Sequence, residues 1–195
     1  MRMIMRPSWP VRVVARAGVA LPLVAFGLIA LVSCGGGSGP QQGTTTLSLL
    51  DAPASVTTGG SAFDVEIRLE GVTNLGAYEW QLRFDPAVVQ FVEAANGPFL
   101  ASSGRTASCL EPVLPPTFGL EPGNVRFGCV TLSPEPPGPD GGGLLSTVTF
   151  EPVADGAPNI EFFCAGLANP FGEDIPISNV PPCVAPVSPT GTPVP

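Results

Sequence analysis

The chain has no histidine, and all eight of its basic residues are arginine, so lysine is missing as well. Without histidine there is no Ser-His-Asp or Cys-His arrangement and no imidazole metal site. Without lysine there is no Schiff-base chemistry. The sequence therefore reads as non-catalytic, with no cofactor. Cations of any kind are scarce. Four arginines (Arg2, Arg6, Arg12, Arg16) precede residue 17. From Cys34 onward four arginines face sixteen carboxylates, a balance of −12. Such a surface repels polyanions, which argues against nucleic acid as a partner. Long helical periodicity is also missing, while glycine (24) and proline (25) are abundant. Many short strands joined by turns follow from that composition.

The N-terminus reads as an address. A basic segment is followed by an apolar run over 17–32, short for a bilayer span of about 20 residues. Leu31-Val32-Ser33-Cys34 looks like a bacterial lipobox, which makes Cys34 the lipidated first residue of the mature chain. Acyl chains would then hold the protein at the outer face of a membrane, at about 0.8 kcal/mol per buried methylene. The expected organisation is a signal peptide over 1–33, a flexible tether over 34–44, one β domain over 45–187 and a disordered Pro/Thr tail over 188–195. The expected location is the cell surface.

Four further cysteines remain: Cys109, Cys129, Cys164 and Cys183. An even number in an exported chain points to disulfides, in one of three pairings. The two local pairs, Cys109–Cys129 and Cys164–Cys183, are the expected ones. Each closes a loop of about 20 residues, worth roughly 3 kcal/mol in the chain-entropy model. A zinc site is disfavoured, because no CxxC spacing is present.

Period-two alternation organises the rest. Over 77–84, Tyr78, Trp80, Leu82 and Phe84 point one way and Ala77, Glu79, Gln81 and Arg83 the other. Asp85-Pro86 ends that strand, since proline cannot donate to a ladder. Over 62–70, Phe63, Val65, Ile67 and Leu69 face inward. Further strands are expected over 45–51, 88–95, 105–110, 124–132, 144–151 (with Leu144, Val148 and Phe150 on one side) and 158–167 (with Ile160, Phe162 and Cys164 on one side). A last edge strand is expected within 175–187. Residues 133–143 read as pure loop. The fold class is all-β: an eight- to nine-stranded β-sandwich of jelly-roll type.

Other chemistry is thinly represented. Glu66, Glu70 and Glu79 are read as solvated acids on outward strand faces rather than a glycosidase pair. Asp140, Asp155 and Asn159 lack calcium-ligand spacing, so no metal is assigned. Trp80 and Tyr78 belong with Leu82 and Phe84 in the core rather than on a sugar-stacking platform. Arg68, Arg83 and Arg126 are expected to pair carboxylates across strands.

The order and spacing of four segments (63–71; 76–92 with Phe84-Asp85-Pro86 and Val88-Val89; 124–132; 143–167) resemble a cohesin domain. The resemblance covers about 45–187. It implies a non-catalytic module of an extracellular, polysaccharide-related assembly that docks a dockerin-bearing protein. The implied docking face holds Ala77, Glu79, Gln81 and Arg83, joined by Arg126. Type I cohesins carry an asparagine and an aspartate at the start of this face; here those places hold Ala77 and Glu79. Carbohydrate binding, or a structural envelope role, is the alternative reading.

Overall fold

The computed structural model describes residues 44–132, 135 and 137–183. The signal segment 1–33, Cys34, the tether up to residue 43, residues 184–187 and the tail 188–195 lie outside the described residues.

Eight strands are present among the described residues: β1 (Thr46–Leu50), β2 (Phe63–Val72), β3 (Ala77–Arg83), β4 (Val89–Asn96), β5 (Thr106–Cys109), β6 (Asn124–Leu132), β7 (Gly141–Pro152) and β8 (Glu161–Ala168). They form two antiparallel sheets, ordered β1-β2-β7-β4 and β5-β6-β3-β8. The inward residues of β2 and β3 set the sandwich. Val65, Ile67 and Leu69 on one side meet Trp80 and Leu82 on the other, all five fully buried. Phe84 meets Phe150 edge-on at 5.2 Å, and Trp80 tilts against Phe127 at 5.5 Å. Such aromatic pairs add about 0.5–1.5 kcal/mol beyond area burial.

A polar thread crosses this core. The Trp80 indole N–H donates to Ser146 Oγ at 2.8 Å, and the Tyr78 hydroxyl donates to Asn96 Oδ1 at 2.9 Å. Burial pushes the Tyr78 phenol well above its ordinary pKa, and a hydrogen bond with Ser146 pulls weakly the other way. Ser146 is itself fully buried. It gives the two inward ring-bearing residues of β3 a common partner in the opposite sheet.

Four expectations need correction. Residues 141–143 are strand, not loop. The missing side chains permit it: a Cβ on Gly142 would lie 2.4 Å from the Leu69 carbonyl oxygen. β7 then has a register shift opposite Ile67 and Arg68, with Leu145 as the extra residue. Leu145 is buried, and Leu144 stands opposite the outward Arg68 instead of sharing the face of Val148 and Phe150. β8 has a similar shift at Phe163. Past it Ala165 and Leu167 point inward, while Cys164 pairs with Gln81 on the outer face. A bulge adds one residue, so it reverses the alternation beyond it.

The fourth correction concerns the last strand, which is instead an irregular strap over 174–183. Ile175 N–H donates to Leu167 O, Ala165 N–H to Pro181 O and Cys183 N–H to Ala165 O, which covers the free edge of β8. Its Asn179 side chain clamps β1, accepting from Leu47 N–H at 3.1 Å and donating to Leu47 O at 2.7 Å. Pro176, Pro181 and Pro182 lack amide protons, so no regular ladder can form. Disulfides join Cys109 to Cys129 and Cys164 to Cys183. The first ties β5 to β6; the second fastens the strap.

Candidate functional site

The outer face of the β5-β6-β3-β8 sheet collects the residues singled out in the sequence. Ala77, Glu79, Gln81 and Arg83 alternate outward from β3 because their neighbours fill the core. Arg126 stands opposite Gln81 on β6 and reaches diagonally to Glu79, donating from Nη2 to Oε2 at 2.6 Å. Gln81 donates to Asn124 Oδ1 at 3.1 Å. Arg83 donates to Glu161 from Nε at 3.0 Å, and its guanidinium lies 5.8 Å from the centre of the Phe163 ring. Every charge carried outward by these strands is thus paired with an opposite one: Glu79 with Arg126, Arg83 with Glu161.

The other sheet differs. Its outer face carries Asp64, Glu66, Glu70, Glu93 and Glu151 against Arg68 alone. Arg68 bonds Glu66 on its own strand at 2.9 Å, where a partner across strands was expected; the two are second neighbours on β2 and so share its outer side. The acidity of the domain is therefore unevenly spread. One face is solvated by excess carboxylate, and the other is charge-balanced.

The balanced face also exposes apolar surface. Val130 is 47% exposed, Leu132 56% and Leu110, just beyond β5, 76%. Glu79 sits between two glycines, Gly128 on β6 and Gly166 on β8, at one register. With no side chains beside it, the sheet has a trough of about 420 Å³ there, lined by Ala77, Glu79, Leu110, Val130, Ala168 and Asp174 among others. Leu110, Gly128, Val130, Phe163, Gly166 and Asp174 join the face in the structure without having stood out in the sequence. Mid-strand glycine was the available signal, because glycine inside a strand often marks close approach of another group.

The acids weighed for calcium serve turns. Asp140 Oδ1 accepts from Asn74 N–H at 2.7 Å. Asp155 Oδ1 accepts from Thr58 N–H at 2.6 Å and from its hydroxyl at 2.9 Å, which holds the Asp155 carboxyl below its ordinary pKa. Among the described residues no group of three or more His, Cys, Asp or Glu converges as a metal-ligand set. Cys34 lies outside them.

No protein-family model matches the chain, and no curated protein matches it. Solved structures do. A type II cohesin of Acetivibrio cellulolyticus, solved in a cohesin–X-dockerin complex, superposes with TM-score 0.56 at 15% identity, over 72% of this chain and 96% of that one. The second type II cohesin of the adaptor scaffoldin of Acetivibrio cellulolyticus gives 0.53 at 16% identity, over 68% and 82%. A cohesin module of a Clostridium perfringens family 33 glycoside hydrolase gives 0.50 at 16%, over 69% and 90%. Two antiparallel sheets in this order, matched along most of each neighbour's length, make the described domain a cohesin-like β-sandwich.

Proposed function

We propose that the chain is a non-catalytic docking module that binds a protein partner through the outer face of β5-β6-β3-β8. The observation that carries this reading is the contrast between the two outer faces. A protein interface favours a patch with few unpaired charges and some exposed apolar surface, and this sheet supplies both. The strongly acidic sheet opposite does not. A dockerin-bearing partner is the first expectation, because one of the solved neighbours is a cohesin–X-dockerin complex. Fold analogy alone would be a weak warrant; the charge-balanced face adds an independent one. The N-terminal segment and Cys34 support export and lipid anchoring at the cell surface, with the module presented in an extracellular assembly.

The test immobilises the oxidised protein and exposes it to the organism's own secreted proteins, with and without calcium. The expected result is retention of a dockerin-bearing protein, weakened in the Glu79→Ala, Arg83→Ala double variant. Retention on insoluble polysaccharide with no protein bound would overturn the reading in favour of carbohydrate binding. Mass analysis of the mature N-terminus checks the anchor: a diacylated or triacylated Cys34 is expected, and an unmodified N-terminus elsewhere would contradict it.

A further inference from the structure

The trough beside Glu79 has a physical peculiarity. A Cβ placed on Gly128 would stand 2.9 Å from the Tyr78 carbonyl oxygen, so glycine there follows from packing. A Cβ placed on Gly166 would meet no heavy atom within 4 Å. Gly166 also lacks a positive φ, so its backbone does not call for glycine. Neither packing nor conformation accounts for glycine at this position, yet its bare Cα leaves part of an apolar hollow open.

The hollow's walls define what fits. Ala77, Val130, Ala168 and the exposed Leu110 give apolar sides. Glu79 is neutralised by Arg126, so the floor carries no net charge. The exposed carboxylate of Asp174, at the start of the strap, puts one negative charge on the rim. The domain's excess of carboxylates adds a long-range field of the same sign, which favours a cationic approach.

We infer that this trough is the anchor pocket of the docking face, taking one branched aliphatic side chain of a protein partner whose neighbouring lysine or arginine meets Asp174. The inference rests on the proposed docking reading and names the partner chemistry for that site. A single apolar anchor in a pocket, ringed by weaker contacts, is a common distribution of binding energy in interfaces. The rim charge acts mainly on association rate and partner choice.

The probe is a phage-displayed library of random twelve-residue peptides, selected on the oxidised protein and then tested on three variants. Gly166→Trp fills the trough, Gln81→Trp blocks the face away from it, and Asp174→Lys reverses the rim charge. Melting temperatures of all three, compared with wild type, verify folding. Selected peptides should share a Leu, Ile or Val beside a Lys or Arg. They should lose at least about tenfold in affinity on Gly166→Trp, the scale of one lost anchor. On Asp174→Lys the preferred flanking charge should change to acidic. Loss on Gln81→Trp with full binding to Gly166→Trp would overturn the anchor inference and leave the docking face standing. Full binding to both Trp variants would overturn the docking face as well. Selected peptides without a flanking cation, or an unchanged charge preference on Asp174→Lys, would refute the rim assignment.

Discussion

Ser146→Ala removes one oxygen from the centre of the core. Ser146 is fully buried on β7 and accepts from the Trp80 indole across the sandwich at 2.8 Å. Trp80 is fully buried too, so water cannot replace the lost acceptor. A buried donor left unpaired costs about 1–3 kcal/mol. For a domain of this size that lowers the melting temperature by roughly 3–12 °C. The Tyr78 phenol, which also bonds Ser146, loses a neighbour at the same time. Urea unfolding followed by far-ultraviolet circular dichroism reads the cost, and it does not depend on Trp80, the sole tryptophan of a chain beginning at Cys34. The decisive arm repeats the substitution in a Trp80→Phe background, where the donor is already gone. There Ser146→Ala should cost at least about 0.5 kcal/mol less, the coupling expected of touching residues. Equal cost in the two backgrounds, or a single-variant cost below about 0.5 kcal/mol, would refute the argument that this bond joins the sheets.

The remaining predictions concern the strap, the face and alkaline pH. Replacing Cys164 and Cys183 together by alanine should cost about 3 kcal/mol in urea unfolding, from a 19-residue separation; a cost under about 1 kcal/mol would mean the strap is held without the bridge. Asn179→Ala loses both side-chain bonds to Leu47 and should cost about 1–2 kcal/mol by the same assay. Arg83→Ala, breaking an exposed pair with Glu161, should change stability by less than about 1 kcal/mol, so any larger binding defect belongs to the interface. The folded Tyr78 phenol titrates above its unfolded value, so its contribution is complete below about pH 10 and is lost as pH rises from there toward the folded value. Tyr78 is the only tyrosine, and its ultraviolet titration should coincide with alkaline unfolding. Ionisation near pH 10 without unfolding would contradict its burial.

Alternation made the two central strands legible. In β3 and β2 every second residue is large and apolar, and the structure buries Tyr78, Trp80, Leu82, Val65, Ile67 and Leu69 as the pattern requires. The outward set Ala77, Glu79, Gln81 and Arg83 followed from the same parity. The pattern failed where one residue was added. Neither Leu145 nor Phe163 is a glycine or proline that would mark a bulge, and each follows a second large apolar residue, Leu144 or Phe162, so either parity could be read there. The strand start at 141–143 was hidden because glycine has no side chain to show a periodicity. The strap resembles a strand in sequence, with Ile175, Ile177 and Val180 spaced among polar residues and prolines, while its bonds run to β8 and β1 through side chains and isolated amides. The apolar rim of the face could not be read at all. Leu110, Val130 and Leu132 come together only once β5 pairs with β6.

The central claim is that one face of the sandwich binds and the other does not. Two bulky substitutions separate them: Gln81→Trp on the outer face of β3, and Thr147→Trp on the outer face of β7, opposite Glu66. Affinity for the captured partner protein would be measured by calorimetry for each, alongside wild type. The account predicts that Gln81→Trp abolishes binding and that Thr147→Trp leaves it within about twofold, as expected for a site outside the interface. Binding lost on Thr147→Trp and kept on Gln81→Trp would place the interface on the acidic sheet and contradict the account.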